Sequence, residues 1–424
     1  MKRQVLLGAA LALAASAPAM PVIAPDSVSA VQDSGSDRIR ISYRLDNEPA
    51  VVTIDILTNA SATAESPSWV SIGGARMAKI TEANMLVEKT GEHTAVWRPT
   101  KAGPWDAETK DFRFVVTAWP TNAPPPYMVV DLFGGRTRYY ERRDLLPLEL
   151  TDVKYKTEKL VMRRIPAAGV EFVVGEPIKA AGVGGYEGRT KPFPALLTED
   201  YYCAVFELTY QQNRFLLGND SAPLAAYDDS CLTPQTLTYD LMRGTTDGTF
   251  ANWPKAGHAV KSDSYFDYYR RRTGVQFDYL TSAQWEFACR AGTTTSLNNG
   301  YDLTAGATSL NIDDVAWYSG NKELQPRSGY QVVGLLRPNA WDLYDMHGNA
   351  WEFALDWLAA ESSCDLHVDP VGPETDGTTS YTGRIVRSGS YQNAAAVTSS
   401  GMRWSQASNL PAGVRLGAPC AAVR

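Results

Sequence analysis

The chain has 424 residues, 44% of them apolar and 21% charged, with a formal net charge of −7. This is an ordinary globular composition, and the length suggests two or three domains at about 100–200 residues each. No basic block offsets the acidic balance, so nucleic acid is excluded as an expected partner.

Residues 1–24 read as a secretory signal. Lys2 and Arg3 precede an apolar run from Val5, and Ala19, Ala24 and Ala30 offer small-residue cleavage positions. The run is too short and alanine-rich to span a bilayer, and no later stretch reaches the roughly 18 apolar residues a membrane helix needs. A secreted, periplasmic or envelope-associated protein without a transmembrane segment is expected. No lipid-anchor cysteine follows the run.

Residues 38–57, 93–103 and 111–119 alternate apolar and polar side chains, the period-2 pattern of strands half-buried in a sheet. They predict a small β-sandwich over residues 31–120 of immunoglobulin or fibronectin type, although no cysteine pair marks it. Its expected role is interaction or spacing. The run PTNAPPP at 120–126 favours an extended, stiff chain, and residues 121–154 read as a connecting region.

A second domain is expected over residues 155–424. It opens with LVMRRIPAAGVEFVVGEP at 160–177, and the strand-like ALLTEDYYCAVFELTYQQNRFLLG follows at 195–218. Tyr265, Tyr268 and Tyr269 have helical spacing, with Gly274 as a stop. Thr281 can cap a helix running through Trp285, Glu286 and Arg290, with Trp285 read as core. The five cysteines (203, 231, 289, 364 and 420) form no CxxC motif, and their odd number leaves at least one unpaired. The four histidines are scattered, and a lone histidine is read as a surface or capping residue.

The densest stretch is VGLLRPNAWDLYDMHGNAWEFALDW at 333–357. Its tryptophans imply a core, and Gly348-Asn349 implies a turn. Asp345 and Glu352 flank that turn. With the carbonyls of Gly348 and Ala350 they offer four oxygens of the kind calcium takes, and a solvated acidic turn is the plainer alternative.

PNAWDLYDMHGNAWEFALDW resembles the signature of the formylglycine-generating enzyme, or sulfatase-modifying factor, family, roughly PNxxGLYDMxGNVWEW. Four further segments are similar to it: the two that open the domain, YLTSAQWEFACRAG at 279–292, and RIVRSGSYQNAAAVTSSGMRWSQASNLPAGVRLG at 384–417. Asp278, Leu280, Ser282 and Gln284 depart from the family pattern. The resemblance spans residues ~160–420. It implies an α+β, C-type-lectin-like fold with long loops, and a structural calcium ion at Asp345, Gly348, Ala350 and Glu352. Asn311 and the carbonyl of Ile312 match half of a second calcium site, whose acidic partner loop is not evident.

The activity implied by the family is oxidation of a sulfatase cysteine to formylglycine by two cysteines that bind copper(I). Those cysteines lie three and eight residues after the motif serine, here Ser390, which places them at Asn393 and Thr398. Neither residue is a soft thiolate ligand, so copper is not expected. Three readings stay open. One is an exported, non-catalytic pseudoenzyme whose lectin-like loops bind a protein or glycan. Another is a formylglycine-generating oxidase. The third is a variable-loop receptor of the diversified C-type-lectin kind, for which the Ser-, Asn-, Gln- and Tyr-rich stretch 391–411 is suited. Tyr391, Gln392, Asn393, Arg403, Trp404, Ser405, Gln406 and Arg415 are the expected ligand-binding residues. Bracing of loops is the alternative role for the two arginines.

Overall fold

A computed structural model describes residues 20–60, 68–99, 112–176, 191–219, 228–244, 260–358, 365–373 and 383–420. Most of the expected signal at 1–24 and Cys364 lie outside the described residues.

The alternation near the N-terminus becomes two antiparallel sheets over one core. The strand Ile39–Asp46 turns Ile41, Tyr43 and Leu45 inward and pairs with Gly91–Trp97. The chain then crosses at Asn47, whose φ is +75°, into the strand Ala50–Asn59 of the other sheet. That strand pairs along its length with Phe112–Pro120, from Ala50 opposite Pro120 to Thr58 opposite Phe112. Ile41, Tyr43 and Leu45 meet Val52, Ile54, Ile56 and Trp97 in the shared core. Ala50–Asn59 is buried on both faces, because Val51 points away from that core into the core of the second domain. Val22 and Ile23 add a short strand to this sheet by pairing with Asp46 and Leu45.

The connecting region is part of the second domain's framework. Tyr127–Asp131 and Thr137–Tyr140 lie in a six-stranded sheet with Lys159–Ile165, Tyr201–Ala204, Leu416–Pro419 and Asp278–Tyr279. The proline run before them is tied down as well: the Pro125 carbonyl accepts from Tyr202 Oη at 2.6 Å, and the Pro126 carbonyl from Arg164 N–H at 2.8 Å.

A five-stranded sheet runs Thr236–Thr238, Pro411–Gly413, Glu352–Trp357, Arg384–Arg387, Trp404–Gln406. Its central strand begins at Glu352, so the 345–352 turn leads straight into the interior. The helix Ser282–Arg290 packs beside this strand. Thr281 and Gln284 form the reciprocal cap expected there, which satisfies two free N–H groups of the first turn. Three helices of moderate length and several mixed sheets give the α+β architecture. Among the described residues no helix is long and apolar enough to cross a membrane.

Candidate functional site

The site is built around the turn from Asn339 to Glu352. Asn339 opens it: its amide donates to the carbonyls of Ala288 and Cys289, and its Oδ1 accepts from the N–H groups of Trp341 and Leu343. Asp342, Asp345, Gly348 and Asn349 all have φ between +55° and +74°. At Gly348 the demand is strict, because a Cβ would stand 2.0 Å from the Trp317 carbonyl oxygen. Gly348 N–H donates to the Ser388 carbonyl at 2.7 Å, and Ser388 Oγ donates back to the Gly348 carbonyl at 2.9 Å.

Four buried ionisable groups face this turn. Glu352 is fully buried, and Arg415 binds it with Nε and Nη2 at 2.6–3.0 Å. Trp285 Nε1 adds a third donor at 2.5 Å. The Arg415 guanidinium also donates to the carbonyls of Tyr344 and Ala204, at 2.9 and 3.1 Å. Burial alone would weaken its hold on the proton, but Glu352 raises its pKa above the usual arginine value. Glu207 accepts from Asn349 Nδ2 at 2.7 Å and from Ala350 N–H at 3.2 Å. Burial first, then the charges of Asp345 and Glu352, push the Glu207 carboxyl well above its ordinary range. Asp345 Oδ2 accepts from Gly334 N–H at 2.6 Å, while its Oδ1 is buried with no hydrogen-bond partner. Burial raises the Asp345 pKa to about 6.

These positions bear on the expected calcium ligands. Asp345 has a free buried oxygen, and the Gly348 carbonyl spends one lone pair on Ser388, so both suit a hard cation. Glu352 already receives four donor contacts on its two oxygens and would have to release one of them to join. Among the described residues no three His, Cys, Asp or Glu side chains alone form a metal shell, so a cation at Asp345 would draw on main-chain oxygens. At the second expected site, the Asn311 carbonyl accepts from Asn299 Nδ2, and the Ile312 carbonyl from the N–H groups of Val315 and Ala316.

The eight expected ligand-binding residues divide into three groups. Tyr391, Gln392 and Asn393 follow the Ser388–Ser390 turn. Tyr391 N–H donates to the Asn349 carbonyl, its ring meets Tyr330 edge-on at 5.2 Å, and Gln392 Nε2 donates to its hydroxyl. Asn393 Oδ1 accepts from Ser390 Oγ at 2.6 Å. Trp404, Ser405 and Gln406 form an edge strand, and the Trp404 ring lies 6.5 Å from that of Trp351. Both groups are partly exposed and contact the same segment, Asn349–Trp351. The arginines belong elsewhere. Arg403 turns away from Trp404 onto Phe193, its guanidinium 5.3 Å from that ring. Arg415 is 1% exposed and braces the turn from inside, which corrects its expected place on a ligand surface.

Thr398, at the second cysteine position, is fully buried and donates to the Ala395 carbonyl. Beneath it lies His347, also fully buried, where a surface or capping residue was expected. Its Nε2 accepts from Asn298 N–H at 3.0 Å, so the proton sits on Nδ1 and is donated to the Thr398 carbonyl at 2.7 Å. Burial lowers its pKa to about 4. The described cysteines, 203, 231, 289 and 420, are all unbridged, and Cys203, Cys289 and Cys420 are buried. Glu207 was not singled out from the sequence. A lone carboxylate inside the apolar run YYCAVFEL was the available signal.

The turn and the buried Glu352–Arg415 pair it opens into both lie within residues 247–417. Residues 247–417 match the family described as "Sulfatase-modifying factor enzyme 1-like domain", and the chain carries a domain of that family. It is 32% identical over 143 residues to the formylglycine-generating enzyme of Thermomonospora curvata, covering 32% of this chain and 46% of that protein. It is 30% identical over 139 residues to the Mus musculus formylglycine-generating enzyme, covering 32% of this chain and 36% of that protein. The matched stretch thus spans less than half the length of either relative. Among solved structures, Treponema denticola variable protein 1 superposes with a TM-score of 0.43 at 20% identity, over 62% of this chain and 95% of that one.

Proposed function

We propose that the family domain of this exported protein is non-catalytic, with a C-type-lectin-like arrangement of loops. Its surface at Tyr391–Asn393 and Trp404–Gln406 binds an external protein or glycan. The observation that carries this reading is the pair Asn393 and Thr398. One is held by Ser390 and the other is buried, and neither has a thiol for copper(I). Two partly exposed aromatic pairs, Tyr391 with Tyr330 and Trp404 with Trp351, supply rigid contact area on either side of Asn349–Trp351. A calcium ion at Asp345 belongs to the same proposal. Its role is structural, neutralising a buried carboxylate. The N-terminal sandwich, of immunoglobulin or fibronectin type, spaces this surface from the cell or a larger assembly.

Screening against glycan arrays and cell surfaces tests this. Tyr391→Ala combined with Trp404→Ala should abolish capture of the hits with the circular dichroism spectrum unchanged. A double variant that binds every hit as the parent does rules the surface out. Capture by the isolated residues 20–120 would move the function to the other domain. A second reading, a formylglycine-generating oxidase, is favoured by the names of the relatives and is decided by aldehyde formation on a peptide cysteine.

A further inference from the structure

A cavity of about 400 Å³ lies where the sandwich meets the second domain. Its size falls in the range of small-molecule sites, about 300–1,000 Å³. One wall is the segment from Gly74 to Asn84. The facing wall is the edge of the six-stranded sheet with the stretch from Leu145 to Lys154. The walls are tied together beside the cavity. Tyr139 N–H donates to the Asn84 carbonyl at 2.8 Å, and Arg138 Nη1 donates to the Ala83 carbonyl. These bonds fix the spacing of the two walls.

Strand register gathers the charges. Side chains two apart on a strand share a face. Arg138 and Tyr140 therefore lie together, with Arg136 just before the strand in the same alternation. On the next strand Val129 stands opposite Arg138, and Asp131 stands opposite Lys159. Lys154 adds a fourth cation, so the charged residues of the cavity are four cations and one carboxylate. This is a positive site in a chain whose formal net charge is −7. Asp131 is already committed: it accepts from Lys159 Nζ at 2.6 Å and from the N–H groups of Phe133 and Gly134 at 3.1 Å. Among the described residues, Arg136, Arg138 and Lys154 form no ion pair. Cations that share a cavity with apolar walls focus a positive potential there. Met77, Ile80, Leu145 and Leu148 supply that apolar wall.

Charges and walls together narrow the ligand. An amine would meet uncompensated cations. A single carboxylate would leave most of that charge unmatched, and inorganic phosphate would leave the apolar wall bare. Arginine's planar fork takes phosphate oxygens in pairs, and lysine binds them as a point charge. We infer that the cavity binds a small, soluble phosphate monoester with an apolar group. Its phosphoryl oxygens lie on Arg136, Arg138 and Lys154, and its apolar group lies against Met77, Ile80 and Leu148. Because the walls belong to both domains, the ligand also joins them. This site is separate from the Tyr391–Trp404 surface and does not depend on it.

Calorimetric titration of the full chain with 1-naphthyl phosphate, 1-naphthoate and inorganic phosphate tests the inference. The ester should bind at least about tenfold more tightly than either of the others, since naphthoate lacks the second charge and inorganic phosphate lacks the ring. Arg138→Gln should cost about tenfold or more, and so should Lys154→Gln, whose parent side chain is exposed. Ala78→Trp, which fills the cavity from its exposed rim, should abolish binding with the circular dichroism spectrum unchanged. Equal binding of naphthoate and the ester would overturn the assignment. So would unchanged affinity in Lys154→Gln and Ala78→Trp, or no heat from the ester at about 1 mM. Flotation with phosphatidylcholine vesicles containing phosphatidic acid separates a membrane lipid from a soluble ester. The chain should stay unbound, and capture that is lost in Ala78→Trp would overturn the soluble ligand.

Discussion

Replacing Arg415 by methionine keeps an unbranched stem but removes the guanidinium and its charge. The parent guanidinium makes three contacts of 2.6–3.0 Å with Glu352 and serves the Tyr344 and Ala204 carbonyls, all fully buried. The variant leaves Glu352 with Trp285 Nε1 as its remaining donor among those partners. Stranding one partner of a buried ion pair costs about 3–5 kcal/mol, because an uncompensated charge stays in the interior. By contrast Arg271, whose side chain is 56% exposed, meets Asp267 at 3.1 Å on a helix surface, and its loss should cost at most about 0.5 kcal/mol. Urea unfolding followed by tryptophan fluorescence reads both costs as changes in global stability. Adding Glu352→Gln to Arg415→Met should recover part of the loss by removing the stranded charge. A cost below about 1 kcal/mol for Arg415→Met would refute the bracing role and return Arg415 to the list of ligand contacts.

Gly348→Ala should destabilise by more than about 2 kcal/mol in the same urea titration, since the residue has φ +74° and its Cβ would stand 2.0 Å from a carbonyl oxygen. If calcium sits at Asp345, a chelator should lower the melting temperature of the parent, and Asp345→Asn should be insensitive to it. Equal melting curves with and without chelator would dismiss the ion. Asp356 holds its proton more tightly in the fold, about 6 against an ordinary 3.8, so its contribution is present below pH 4 and lost as pH rises through 6. Stability of Asp356→Asn relative to the parent should therefore rise by roughly 2–3 kcal/mol between pH 4 and pH 7, and a flat difference would contradict this.

Much of the site was legible because its constraints are local. Gly348 must be glycine, Thr281 caps the turn that follows it in sequence, and the alternation from Ile39 reports a face buried by its own sheet. What escaped depends on partners far along the chain. Nothing near Arg415 says that it reaches Glu352, 63 residues away, instead of solvent. Nothing near His347 says that segments around Asn298 and Thr398 close over it. The place of the connecting region was hidden for the same reason. Its prolines signal stiffness, while the pairing of Tyr127–Asp131 with Lys159–Ile165 is visible only once both are in register.

The most direct measurement is incubation of the purified chain with copper(I), oxygen and a CxPxR peptide, followed by mass spectrometry. With asparagine at 393 and threonine at 398, the peptide cysteine should remain unchanged relative to a no-enzyme control. Conversion of that cysteine to the aldehyde above the control would contradict the non-catalytic reading.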